Sequence, residues 1–230
     1  MTRQTFFEAY RRKFGAMQQA TVDGINALLD AGRDLPLQHM ANVLAQVRRE
    51  TGGWMAPIKE TVMPWHDDKN PSDAIVIRRL DNEWAKPGHG GLRGVSKPYW
   101  RDGEFGRGQI QLTHKVNRMQ FGISNRDDLL RPHISAMVAV RGMSEGLFRG
   151  KKLADYDFPA AIYYSPDNNP RRIVNGKDGS DAEVAVSHKA FAAMLTSAEW
   201  GVAMEPVVLA PTVSPSKWAA FIAAIVRLFK

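Results

Sequence analysis

Two glutamates ten residues apart, Glu50 and Glu60, carry the acid–base chemistry this sequence could offer. Glycoside hydrolysis needs such a pair: one carboxyl protonates the leaving oxygen, and the other activates water or attacks. Glu50 follows the apolar positions Leu37, Met40, Leu44 and Val47, spaced three or four apart. At helical geometry it falls roughly 100° from the centre of that stripe, on the border between core and solvent. A carboxyl there is partly desolvated, which favours its protonated form and general-acid duty. Thr51-Gly52-Gly53 ends the helix and keeps bulk away. A solvated glutamate at a helix end is the competing reading, and position alone does not choose between them. Glu60 lies beyond Trp54, Met55 and Pro57, and Glu83 and Glu104 are its rivals as partner.

A third element is the run Gly106-Arg-Gly-Gln-Ile-Gln-Leu-Thr-His-Lys-Val-Asn117. It is no nucleotide loop: Gly-Lys-Ser/Thr is missing, and Gln111 stands where a dinucleotide pattern needs glycine. Its glycines let backbone approach a ligand, and Ile110/Leu112 alternate with Gln109/Gln111/Thr113 like a short half-buried strand. Gln111, Thr113 and Asn117 then offer neutral hydrogen-bonding groups suited to sugar hydroxyls and acetamido groups. The alternative is a tight turn leading into a helix that Thr113 caps. Tyr99-Trp100 either stacks on sugar rings or packs a loop onto the core. His66-Asp67-Asp68 is read as a solvated turn rather than a metal site, and Ser144 and Ser187 lack a nucleophile-elbow motif.

The elements that must position these residues are mostly helices. Phe6, Phe7, Tyr10 and Phe14 recur at helical spacing before Gly15; Val22, Ile25, Leu28 and Leu29 form a second stripe that Gly32 ends. A third helix should start near Asp34-Leu-Pro36, with proline in its first turn, and run to about Glu50. Met55–Phe105 carries five prolines and, after Pro87, five glycines without a sustained period. It reads as loop-rich around one short helix, Ser72–Trp84. Helices are expected again at Thr113–Phe121, Ile134–Phe148 and Asp181–Ser197. Gly201–Pro215, with three prolines, reads as a linker. Ser216–Lys230 reads as a cationic amphipathic helix that gathers Trp218, Phe221, Ile222, Ile225 and Phe229 on one side. Either it lies in an anionic membrane surface or it docks on the preceding domain. The expected division is residues 1–200, 201–215 and 216–230.

Composition narrows the classes further. In 230 residues, 44% are hydrophobic and 24% charged, an ordinary globular balance able to bury a core. Cysteine is absent, which excludes disulfides, thiolate metal sites and cysteine nucleophiles. Lysine and arginine total 31 against 24 acids, a net charge of +7 that favours polyanionic partners or simply keeps the chain soluble. The clusters Arg11-Arg12-Lys13 and Arg48-Arg49 read as solvated helix faces, and no interleaved basic and aromatic motif marks a nucleic-acid binder. Met1–Gly15 is too charged for a signal-peptide core. The longest apolar run, Trp218–Val226, is far short of the roughly 20 residues of a membrane span.

Three segments together resemble a known family. Arg-Arg-Glu50-Thr-Gly-Gly-Trp54 is similar to the His-Glu-Thr-x-Gly-Gly segment that holds the catalytic acid of family 19 glycoside hydrolases. Gly106–Asn117 resembles their Gly-Arg-Gly-x-Ile-Gln-Leu-Ser/Thr-His-x-x-Asn segment, and Arg171-Arg-Ile-Val-Asn175-Gly their Ile-Asn-Gly segment. Phe6–Leu29, Met55–Thr61, Ile77–Trp84 and Tyr99-Trp100 look like the bacteriophage endolysins of that family rather than its plant chitinases. The likeness covers roughly Thr5–Phe191, and Gly106–Asn117 is its most specific part.

The resemblance implies a lysozyme-like, mainly α-helical α+β fold with a substrate cleft. Glu50 would be the general acid, and Thr113 the hydroxyl that holds the attacking water. Gln111, Asn117 and Asn175 would contact substrate, with Arg107, Tyr99 and Trp100 beside them. The plant pattern puts the base where this chain has Ser72 and Asp73, whereas phage members keep a glutamate at Glu60, so Glu60 is the expected base. Arg49 replaces a frequent histidine, which is then not required for catalysis. The implied activity is a cofactor-free, inverting, muramidase-type cleavage of β-1,4 bonds in peptidoglycan by a monomer. It would accumulate in the host cytoplasm and reach the wall once the membrane is permeabilised. A chitinase on the same scaffold, or a non-catalytic wall-binding protein, are the alternatives.

Overall fold

The computed structural model describes residues 1–62, 66–158, 168–176 and 178–201. Apart from Gly201, the expected linker 201–215 and the expected helix 216–230 lie outside the described residues, and so does the membrane role assigned to that helix. Among the described residues, no helix is long and apolar enough to cross a membrane.

The fold is mainly helical α+β. Its helices are α1 (Arg3–Phe14), α2 (Gln19–Ala31), α3 (Leu37–Glu50), α4 (Asp73–Trp84), α5 (Lys115–Met119), α6 (Pro132–Glu145) and α7 (Asp181–Ser197). Two short strands, β1 (Ile58–Lys59) and β2 (Arg107–Gly108), pair antiparallel, with Ile58 opposite Gly108 and Lys59 opposite Arg107. The helix boundaries follow the expected signals closely. Gly15 stops α1 at φ +93°, and Pro36 stands one residue before α3, at its cap rather than in its first turn.

α3 is more enclosed than one apolar stripe requires. α7 packs along it, with α6 and α2 also against it, so Met40, Ala41, Val43, Leu44, Ala45 and Val47 are all fully buried. A helix covered on several sides must also bury polar residues, here Asn42 and Gln46. On α7, His188 reaches back to α3: its Nε2 lies 2.7 Å from Gln38 Oε1, and its ring stacks on Phe158 at 5.6 Å.

The loop-rich stretch from Met55 to Phe105 is held by charge as much as by apolar contact. Lys59 Nζ donates to Pro71 O (2.7 Å) and Asp73 Oδ1 (2.8 Å). Arg107 Nη2 meets Asp73 Oδ2 at 2.9 Å while its Nη1 donates to the carbonyls of Gly103 and Phe105. Burial pushes the Asp73 carboxyl up, but Lys59, Arg107 and Arg126 together hold it below the usual range. A small cluster of Val76, Leu80, Trp100 and Phe105 fills the space beside this network.

The run after Gly106 is a tight turn, not the expected alternating strand. The backbone of Arg107 exchanges hydrogen bonds with that of Leu112, and Gln111 between them has φ +53°. Ile110 and Leu112 are buried and Gln111 and Thr113 are half-buried, as the alternation expects, but Gln109 is buried as well. Gln109 Nε2 bonds Gly24 O (3.1 Å) and Met55 O (2.5 Å), and its backbone N–H donates to Ser135 Oγ (2.7 Å). Only glycine fits at 24, where an added Cβ would lie 2.4 Å from Met55 O.

Burial lowers the pKa of His188 to about 4, against about 6.5 in an unfolded chain. The folded state therefore favours the neutral ring. This contribution to stability is complete above about pH 6.5 and is lost as pH falls through about 4. His188→Gln should flatten the stability profile over that window, measured as the urea midpoint against pH. A variant as acid-sensitive as the parent would contradict it.

Candidate active site

Glu50 ends α3, and its carboxylate meets a buried arginine. Glu50 Oε1 lies 2.6 Å from Arg171 Nη2, with the Arg171 side chain 2% and that of Glu50 15% exposed. The same guanidinium bonds Asp178 Oδ2 through Nε (3.2 Å) and Nη2 (2.6 Å), and Gln46 Oε1 through Nη1 (2.8 Å). Gln46 and Glu50 are four residues apart and so share a face of α3. Gln46 Nε2 completes the set by donating to Pro170 O at 3.0 Å. Burial raises the Asp178 carboxyl, but hydrogen bonds from Arg171 and Ser180 outweigh it and hold Asp178 well below the usual carboxylate range.

Around Glu50 lies a pocket of about 230 Å³. Gln111, Thr113, Asn117 and Asn175 line it, with Ile110, Leu112, Leu147, Phe148 and Val174 as apolar walls and Arg149 at one side. Five of the expected site residues are thus brought together from three separate parts of the chain. Each polar one is oriented locally. Gln111 Nε2 bonds the carbonyls of Ile58 (3.1 Å) and Gly108 (2.9 Å). Thr113 Oγ1 donates to Gln111 O at 3.1 Å instead of capping α5. Asn117 Nδ2 donates to Thr113 O, and Asn175 Nδ2 to Asp178 Oδ2. Wider grooves of about 560 Å³ between α1 and α7 and about 640 Å³ between α2 and α6 include neither glutamate nor any residue of the Gly106–Asn117 run.

No family model matches this chain, and no curated protein or solved structure matches it. The site therefore rests on its own geometry. Among the described residues, no group of three or more His, Asp or Glu could hold a metal ion.

Glu60 does not line the pocket around Glu50. It follows β1, and its carboxylate accepts from Tyr99 Oη and from the Gly106 N–H, both at 2.7 Å. Burial and then the neighbouring Glu60 charge raise the Tyr99 pKa far above normal, so Tyr99 stays a hydroxyl donor. Its ring packs edge-on against Trp100 and His114. Tyr99 is thus placed to orient Glu60. Two expected contacts are corrected. Trp100 is fully buried, with Nε1 on Asp81, and Arg107 is 1% exposed within the Asp73 network. Neither side chain reaches the surface of the pocket. Of the rivals, Glu83 pairs with Lys86 and Glu104 with Arg118.

The sequence reading missed Arg171, Asp178 and Gln46. The available signal was Gln46, one helical turn before Glu50 on the same face. Arg171→Ala would leave two carboxylates facing each other without their cation. It should destabilise the fold by about 3 kcal/mol, in the range for breaking a buried ion pair. Urea unfolding is the measurement, and a loss below about 0.5 kcal/mol, the level of a surface change, would contradict it.

Proposed function

We propose that this chain is a muramidase-type peptidoglycan hydrolase that cleaves β-1,4 bonds between amino sugars, with a lysozyme-like fold and the Glu50 pocket as part of its substrate cleft. One observation carries the reading: a single, partly buried glutamate faces Gln111, Thr113, Asn117 and Asn175 in one pocket. Neutral amide and hydroxyl groups pair with sugar hydroxyls and acetamido groups, and apolar walls accept the sugar faces. The likeness of Glu50–Trp54, Gly106–Asn117 and Arg171–Gly176 to family 19 glycoside hydrolases supports the same reading.

In this mechanism Glu50 protonates the glycosidic oxygen. Arg171 engages Oε1 and so fixes the direction in which the Glu50 carboxyl faces. Glu60 acts as base on water that Thr113 helps to hold, and attack from the opposite face inverts the anomeric carbon. Each Glu60 oxygen accepts one hydrogen bond and keeps a second acceptor position for water. No cofactor takes part. A chitinase on the same scaffold is favoured by the same neutral groups, because they fit N-acetylglucosamine equally well.

Mass spectrometry of products from purified peptidoglycan tests the assignment: new reducing ends show hydrolysis, anhydro-sugars show a transglycosylase, and intact strands show a binding protein. Glu50→Gln should lower turnover about 10²–10⁴-fold with the fold retained; a variant with more than about half of parental turnover removes the acid from Glu50. Glu60→Gln should cost more than Thr113→Ala, and the double variant should lose less than the product of the two, because both act on one water. Independent losses would separate them.

A further inference from the structure

We infer that Arg149 is a specificity-determining residue, which selects a glycan bearing carboxylates over a neutral one. This rests on reading the Glu50 pocket as a glycan-cleaving site. The lining contains one acid, Glu50, and one base, Arg149. Glu50 already has a cation in Arg171. Arg149 makes no ion pair among the described residues, and the nearby acid is committed elsewhere. Both Asp178 oxygens are taken, Oδ2 by Arg171 and Asn175 and Oδ1 by Ser180.

Position strengthens the case. A Cβ built on Gly176 would lie 3.7 Å from Arg149 Nη2, so the guanidinium rests over a residue without a side chain, next to Asn175 on the pocket wall. The turn that bears Arg149 is fixed at both ends: Leu147 N–H donates to Gly142 O and Gly150 N–H to Gly146 O, each at 2.9 Å. A guanidinium presents a fork of N–H donors that matches a carboxylate in two parallel bonds. A polymer of N-acetylglucosamine gives that fork no anion. Peptidoglycan gives it one on alternate sugars, as a lactyl carboxylate or as the carboxylates of the peptide attached there. Arg149 is exposed, so its attraction is screened by salt and acts on binding more than on the chemical step.

The test compares three substrates: intact peptidoglycan, the same strands stripped of peptide by an amidase, and a neutral N-acetylglucosamine hexamer. Arg149→Ala should lower kcat/KM on intact peptidoglycan about tenfold more than on the hexamer, mainly through KM, and should weaken the salt dependence of KM. Arg149→Lys should recover part of the loss. Because the peptide amide masks the lactyl carboxyl and the amidase frees it, an effect that grows on stripped strands assigns the lactyl carboxylate; one that disappears assigns the peptide. Equal losses on all three substrates, or none, would overturn the proposal. Sedimentation of Glu50→Gln protein with the insoluble strands, with and without Arg149→Ala, keeps the two readings apart. A parent chain that cleaves nothing, yet loses salt-sensitive binding with Arg149→Ala, would refute the hydrolase and retain the carboxylate contact.

Discussion

One guanidinium, that of Arg171, fixes the geometry on which the candidate site depends. Taking an arginine out of water is costly, and the cost is offset only when its donors are met by good acceptors. Here two carboxylates and an amide oxygen meet them, from Glu50, Asp178 and Gln46. Because Glu50 and Gln46 belong to α3 and Asp178 precedes α7, the same contact sets how the approach to α7 meets the end of α3. The distance of Asn175 from Glu50 is therefore a property of this ion cluster and not of loop sequence alone.

A second cluster does comparable work away from the pocket. Lys59 and Arg107 stand directly opposite each other on the two-stranded ladder, a placement of like charges that would ordinarily weaken a sheet. Asp73 lies between them, one oxygen on each, and converts the repulsion into a bridge from α4 to both strands. With so short a ladder, two hydrogen-bonded pairs could not hold register by themselves. The cluster supplies what the sheet lacks, and Glu60, directly after β1, inherits its position from it.

Helices were legible because apolar spacing and glycine stops are local signals, and α7 begins and ends at the residues that spacing indicated. The gathering of Gln111, Thr113, Asn117 and Asn175 around Glu50 was not local, and only likeness between whole segments brought it forward. Arg107 and Trp100 show where residue type misleads. A basic and an aromatic residue beside a candidate site look like ligands for a sugar, yet burial has turned both into internal struts. Whether an arginine faces solvent or is enclosed depends on acids far along the chain, such as Asp127 and Asp73 for Arg107. The Ile110/Leu112 alternation found the two inward residues but not the turn: Gln111 is left-handed where periodicity assumes extended backbone, and Gln109 is enclosed by carbonyls far along the chain.

The Gln109 amide and the residues facing it hold the two walls of the pocket by different forces. It joins α2 and the Met55 carbonyl through one nitrogen, while its backbone is tied to Ser135 on α6. Displacing Gln109 would leave the Gly24 and Met55 carbonyls without their donor. The facing wall, Leu147–Arg149 with Val174 and Asn175, is set by packing instead: Leu147, Phe148 and Val174 lie against the core, and Asn175 Nδ2 bonds Asp178 Oδ2. The two walls thus differ in kind: directional bonds to buried carbonyls pin one, and close packing on α6 and the core sets the other.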